Sequence, residues 1–421
     1  MKNKDNKRAK KSRISVFNTL LTKEAFASFT ARCRCFFGEE KNKRRLRYIL
    51  YFLFLAALAV IVSISAVKIK HRIVDHQLAN TPSNERLYSA YYNSLSYREQ
   101  LLYDSITIAA ENLKEESEVI GTSYTMNDLM HIISCIRADR ADLFYVCFDD
   151  LVLYNASHKT KIGMVYIDSK KNIKAMRAEY DETVEDALKL ADSSMTQFEK
   201  EVALTDYITD NCKYTSLSDD MLESTSYGAL VKGQAMCDGY AYAVKELLTA
   251  AHIDTMVVFG TANGAEHVWN MVNIDSNYYH IDVTWNDNDA DKNKGLYFHG
   301  YFNMSDEEIK KDHAFDNSEG VLPKAGLSNN YYKQISCHVT KEEELENTIY
   351  HALQKAVKSK KGYIELEYTV SGESSVIAPH FSAALNTLNE EYPDPVLKDA
   401  FRIMPANTNT NAVTIQINYN N

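Results

Sequence analysis

The alternation of apolar and polar positions divides the chain before any residue chemistry is considered. A polar stretch over residues 1–47 gives way at 48–67 (YILYFLFLAALAVIVSISAV) to 20 residues without a charged side chain. That is about the length a helix needs to cross the roughly 30 Å hydrocarbon core, so one transmembrane helix is expected there. A cleaved signal peptide is the competing reading. The span is longer than a usual h-region and lacks a clear A-x-A site, which favours an uncleaved anchor.

Residues 68–83, with Asn80, Thr81, Pro82 and Ser83, read as a linker that ends near a helix start. Over 85–120 the apolar positions Leu87, Tyr91, Leu95, Leu102, Ile106 and Ala109 recur at three and four residues, predicting an amphipathic helix or helix pair. Its many tyrosines suit a core face better than a sugar-binding face. A helix is expected over 126–137, strands over 143–154 and 162–168, and helices over 178–195 and 198–211. After Gly233, the positions Cys237, Ala241, Val244, Leu248 and Ala251 again follow helical spacing. Three strand-like runs follow at 255–261, 266–274 and 278–286, the last two separated by Asp275, Ser276 and Asn277 as a turn. The tail over 325–421 alternates strand and helix signals. It reads as a small α+β domain, with a ferredoxin-like arrangement as one candidate. The domains are therefore 84–195 (helical and strand region), 196–318 (core) and 325–421, in a fold of class α+β.

Charge adds a direction to this map. Residues 1–67 hold 15 Lys and Arg against 4 Asp and Glu, net +11, whereas 68–421 hold 32 against 53, net −21. Lys41, Lys43, Arg44, Arg45 and Arg47 crowd the upstream flank of the apolar span, against Lys68, Lys70 and Arg72 downstream. The expected topology is a single-pass cell-membrane protein with a cytoplasmic N-terminus and an extracytoplasmic body. Lipid contact is expected through 48–67 and the basic tail. The acidic bulk argues against nucleic acid as a partner. Seven cysteines are scattered without a CxxC pair, and the 12 histidines include no HExxH, so neither a metal nor a cofactor is indicated.

One thiol stands where chemistry favours it. Cys237 opens a helix, and unpaired first-turn amides with the positive end of the dipole stabilise a thiolate and can hold an oxyanion. A lone cysteine on an apolar helix face is usually a small buried hydrophobe. The residues downstream of the helix change that reading. If Asp275 and Ser276 form a two-residue hairpin loop, Trp269 opposes Asp282 and His267 opposes Thr284, which makes His267 and Asp282 diagonal neighbours on one face. A carboxylate that orients an imidazole, and an imidazole that takes a thiol proton, complete a Cys–His–Asp set. His280, two residues before Asp282, shares its strand face and is the competing candidate for the base.

The blocks CDGYA at 237–241, HVWN at 267–270 and HIDVTWND at 280–287 resemble bacterial members of the transglutaminase-like superfamily, relatives of papain-type thiol enzymes. The stretches EKEVALTDYITDNCKY at 199–214 and YFNMSDEEIKKDHAF at 301–315 are similar to the segments that precede and close such cores. The resemblance implies a papain-like fold with a Cys-bearing helix packed on an antiparallel sheet, and catalytic roles for Cys237, His267 and Asp282. Animal transglutaminases carry Gln-Cys-Trp at the nucleophile. Here Met236 and Asp238 flank it, which removes support for protein cross-linking but leaves thiol chemistry intact. Asp238 suits a dipole-compensating acid near the helix start. Trp269 and Trp285 are expected to pack beside the triad, with either open to stacking on a substrate. His313 matches a family position without an assigned role. The expected function is a membrane-anchored thiol enzyme that forms a thioester with peptide or Gln carbonyls of cell-surface protein or wall peptide. A non-catalytic surface module and a cysteine peptidase proper are the alternatives.

Overall fold

The computed structural model describes residues 89–120, 123–156, 159–216, 220–287, 296–318, 320–369, 376–392, 396–398, 401–405 and 411–420, together with Tyr51, Leu53, Phe54 and Ala56. The expected tail at 1–47, most of the span at 48–67 and the linker at 68–83 lie outside these residues. Among the described residues no helix is long and apolar enough to cross a membrane.

The compact unit 84–421 begins with α1 (Ala90–Ser94), α2 (Tyr97–Glu111), β1 (Glu116–Ile120) and α3 (Met126–Asp139). It continues with β2 (Val152–Ala156), β3 (Lys159–Gly163), α4 (Lys170–Leu188), α5 (Gln197–Asn211) and β4 (Lys213–Tyr214). Next are β5 (Gln234–Ala235), α6 (Cys237–Ala250), β6 (Thr255–Ala262), β7 (Ala265–Ile274), β8 (Asn277–Ile281) and α7 (Val283–Asn286). After α8 (Asp306–Ile309), β9 (His313–Phe315) and α9 (Tyr331–Gln334) come β10 (His338–Val339), α10 (Leu345–Ser359), β11 (Tyr363–Tyr368), α11 (Ile377–Glu390), β12 (Arg402–Pro405) and β13 (Ala412–Gln416). Helix starts are written locally. Ser96 with Glu99, Thr125 with Asp128, Thr196 with Glu199 and Ser305 with Glu308 each form a reciprocal capping box that satisfies two otherwise orphaned amides.

Several expected elements differ. The run at 143–154 is a pair of short 3₁₀ turns followed only at Val152 by a strand. Residues 143–148 are all buried, so their apolar continuity reflects enclosure rather than a two-faced strand. The stretch ending the first helical region folds as β1, which pairs antiparallel with β3. At 331–339, the Asn330 side chain accepts from the Lys333 amide and starts a helical turn where a strand was expected. The third strand-like run stops at Ile281 and turns into α7.

Leu102, Ile106 and Ile132 share one hydrophobic core with Leu204, Val244, Leu247, Val272 and Ile281, so the 84–195 region and the 196–318 core bury each other. A second core, with Val339, Leu345, Leu353, Phe381 and Ile415, belongs to the C-terminal part. Its sheet runs β10-β11-β13-β12, with β10 and β11 parallel and the other pairs antiparallel. The element order βαβαββ is not the βαββαβ of a ferredoxin-like domain. The site rests on the sheet β8-β7-β6-β9, antiparallel throughout, against which α6 packs.

Candidate active site

Helix α6 places Cys237 at its first position, after Met236, which supplies no side-chain cap. First-turn amides lack intrahelical acceptors. That of Gly239 donates to Asp238 Oδ1 at 2.9 Å. Gly239 also lets this turn approach its neighbours: a Cβ there would lie 2.7 Å from the Glu223 carbonyl oxygen and 2.8 Å from Ala235 Cβ. Among the five described cysteines, all free, Cys237 alone is not buried.

The β7–β8 hairpin brings the partners in. Asp275 and Ser276 both lie in the left-handed region (φ 50° and 66°), making a two-residue loop, and Ile274 pairs with Asn277, Met271 with His280 and Asn270 with Ile281. This is the register expected from the sequence. The ladder ends there because Asp282 becomes the cap of α7, its Oδ1 accepting from the Trp285 amide at 3.1 Å. His267 Nε2 nevertheless lies 2.7 Å from Asp282 Oδ2, both groups buried. A carboxylate can only accept, so Nε2 donates, and Nδ1 is the nitrogen left for a thiol. Burial disfavours the charged ring, but hydrogen bonds to Asp282 and Cys237 outweigh it and raise the His267 pKa to about 10. Burial likewise opposes ionisation of Asp282, and the two histidines beside it reverse that, holding its pKa below the usual carboxylate range.

The second histidine is His313. Strand β9 pairs with β6, setting His313 opposite Ala262 while His267 lies opposite Gly260. His313 Nε2 reaches Asp282 Oδ2 at 3.1 Å, its Nδ1 reaches Asp312 Oδ1 at 2.5 Å, and the Tyr301 hydroxyl donates to Asp312 Oδ2 at 2.6 Å. The sequence flagged His313 but gave no reason for it. A three-residue strand, reached across thirty residues of chain, leaves no periodic signal. His267, Asp282 and His313 are also the described residues whose ligand atoms, within 4.8 Å of one another, could hold a metal. Hydrogen bonds at 2.7 and 3.1 Å already occupy two of those approaches.

His280 is fixed elsewhere. The Trp269 indole N–H donates to its Nδ1 at 3.1 Å and its Nε2 faces Asp306 at 3.0 Å. Burial lowers its pKa to about 4, so it remains a neutral structural ring. Trp269 is 1 % exposed and enclosed by His313, His280 and Phe315, and therefore offers no surface to a substrate. Trp285 is partly exposed, packs over His267 and His313, and is the indole that can meet one. Two asparagines tie the motif together. Asn270 donates to the Ala241 carbonyl of α6 at 2.9 Å, and Asn286 Oδ1 accepts from the Tyr301 amide at 2.8 Å. Tyr214, 45 % exposed and close enough to feel the charges of Cys237 and Asp238, was not marked by the sequence.

Residues 186–283 match the family model described as the transglutaminase-like superfamily. Solved structures similar to the chain include a candidate cysteine protease from Cytophaga hutchinsonii, at 15% identity over 32% of this chain and 61% of that one, TM-score 0.23. They also include a TGase, at 14% identity over 40% and 50%, TM-score 0.23. A third is a candidate protease from Parabacteroides distasonis ATCC 8503, at 10% identity over 65% and 62%, TM-score 0.24. The chain spans between 50% and 62% of the length of these three proteins. No curated protein matches it. The segment that matches the transglutaminase-like superfamily model, 186–283, contains Cys237, His267 and Asp282.

Proposed function

We propose that this domain is a cysteine acyltransferase or peptidase in which Cys237 is the nucleophile, His267 the acid–base and Asp282 its orienting carboxylate. The observation that carries the reading is the buried 2.7 Å contact between His267 and Asp282, with Cys237 the one described cysteine not buried and at a helix N-terminus. An imidazolium beside sulfur favours its ionised form by direct charge interaction. The sulfur attacks the carbon of a carboxamide or peptide carbonyl, the oxyanion is met by first-turn amides, and collapse expels the amine with a proton from His267. The product is a thioester. Water, losing its proton to His267, releases a carboxylic acid and the thiol; an amine in its place yields a new amide.

The +11 flank and the 20-residue apolar span support a membrane-anchored enzyme whose domain faces out of the cytoplasm. Its substrates are then surface proteins or wall peptides. Incubation of the protein with a Gln-containing peptide and an amine probe, followed by mass spectrometry, tests the chemistry. A gain of the amine with loss of ammonia marks transfer, a gain of about 1 Da marks deamidation, and backbone scission marks a peptidase. The absence of all three, with Cys237 intact, would leave the fold as a binding module.

A further inference from the structure

Beside the nucleophile, on the face of α6 that carries Asp238 and Tyr242, lies a cavity of about 240 Å³. Its lining combines the rings of Phe144 and Phe148 with the charged groups of Arg137, Arg140, Asp149 and Asp238. The cavity adjoins the nucleophile, since Asp238, which lines it, directly follows Cys237 at the start of α6.

The charged groups differ in how fully they are used. Arg140 is saturated: Nη1 meets Glu111 at 2.9 Å, and Nε and Nη2 meet the two oxygens of Asp142 at 2.8 Å. Asp238 is held by the Gly239 amide and by Ser224. Arg137 makes one hydrogen bond among the described residues, Nη2 to Asp149 Oδ2 at 2.8 Å, while its guanidinium sits 5.6 Å over the Phe148 ring. The Asp149 side chain is 73% exposed. A pair so open to water is weakly held and readily exchanged, whereas a planar guanidinium can meet a carboxylate through two parallel bonds. The unspent capacity of the cavity is therefore that of a hydrogen-bond donor, the Arg137 guanidinium, whose charge is shared with Asp149 and Asp238.

We propose that this cavity is a substrate subsite for a carboxylate-bearing residue next to the attacked carbonyl, with Arg137 exchanging Asp149 for the substrate carboxylate. The proposal rests on the acyl-transfer reading for its position beside Cys237. The −21 charge of the body does not oppose it, because that field is screened beyond about 8 Å at physiological salt and the local guanidinium decides.

The test is binding of fluorescein-labelled Ala-Glu-Gln-Glu-Ala and Ala-Gln-Gln-Gln-Ala to the full-length Cys237→Ala protein, read by anisotropy. The Glu peptide is expected to bind roughly tenfold more tightly. Arg137→Gln should erase that preference, and Asp149→Asn should strengthen it several-fold by removing the internal competitor. Equal affinity for the two peptides, no binding of either, or a preference that survives Arg137→Gln overturns the subsite. Because Cys237→Ala is inert by design, failure of the enzymatic reading shows separately, as absence of turnover by the wild-type protein with the preference intact.

Discussion

Two imidazole–carboxylate clusters in the 84–421 unit have inverted centres. In one, the carboxylate of Asp282 stands between His267 and His313, at 2.7 and 3.1 Å, with Asp312 on the far nitrogen of His313. In the other, the single ring of His299 stands between Asp206, 2.9 Å from Nε2, and Glu365, 2.9 Å from Nδ1, and stacks on Tyr331 at 3.9 Å. For both His267 and His299 burial works against the charge and the acidic partners prevail, raising each pKa to about 10. A displaced pKa therefore does not by itself mark a catalyst. His299 has both nitrogens committed to carboxylates and joins α5 to β11, so it can fasten the C-terminal part but cannot take a proton from a substrate. His267 has one nitrogen committed and the other facing sulfur.

The contrast is broken most sharply at the nucleophile. Cys237→Ala is expected to lower turnover by about 10⁴-fold or more while leaving the thermal midpoint within a few degrees, since the side chain is small and partly exposed. Asp282→Asn should cost roughly 10²–10⁴-fold in kcat through loss of ring orientation, again read as turnover against an unchanged melting curve. The mirror variant behaves oppositely. His299→Ala leaves the Glu365 carboxylate buried and without its ring, and a loss of about 3–5 kcal/mol in denaturant stability is expected with alkylation of Cys237 preserved at low temperature. Equal effects of His267→Ala and His299→Ala on both readouts would erase the distinction.

A smaller effect is expected on the pH axis. A histidine whose folded pKa is raised to about 10 contributes stability in full below the unfolded value of about 6.5 and loses it as pH rises through 10. His267 adds a slope of the same sign. The denaturation midpoint should fall between pH 7 and 10, and His299→Gln should flatten that fall in part. The smallest change concerns the hairpin that delivers His267. Ser276 sits at φ 66°, where glycine is free of the Cβ penalty, so Ser276→Gly should raise stability by about 0.5–1 kcal/mol in a melting experiment.

The two clusters also differ in how far the chain announces them. Cys237, His267 and Asp282 lie within 46 residues, on a helix start and a hairpin whose register follows from a two-residue loop, and the resemblance of the blocks that hold them assigned their roles. His299 and Glu365 are 66 residues apart and Asp206 is 93 from His299, separations that no local periodicity encodes. His313 falls between these cases, noted as a residue but not placed on Asp282. The fold shows the same division. The capped helices α3 and α5 lie near the bounds expected for them, whereas the 85–120 stretch ends in β1, and 143–154 and 331–339 depart from strand because enclosure and a single Asn cap decide them. The C-terminal strand order was out of reach, since it depends on which of several short strands pair.

The central claim is that His267 activates Cys237, and the most direct measurement is site-resolved alkylation of the full-length protein by iodoacetamide at pH 6, followed by peptide mass spectrometry. The account predicts that Cys237 reacts at least about tenfold faster than a free thiol at that pH and that His267→Ala abolishes the excess. Slow labelling of Cys237 at the same rate in both proteins would contradict it.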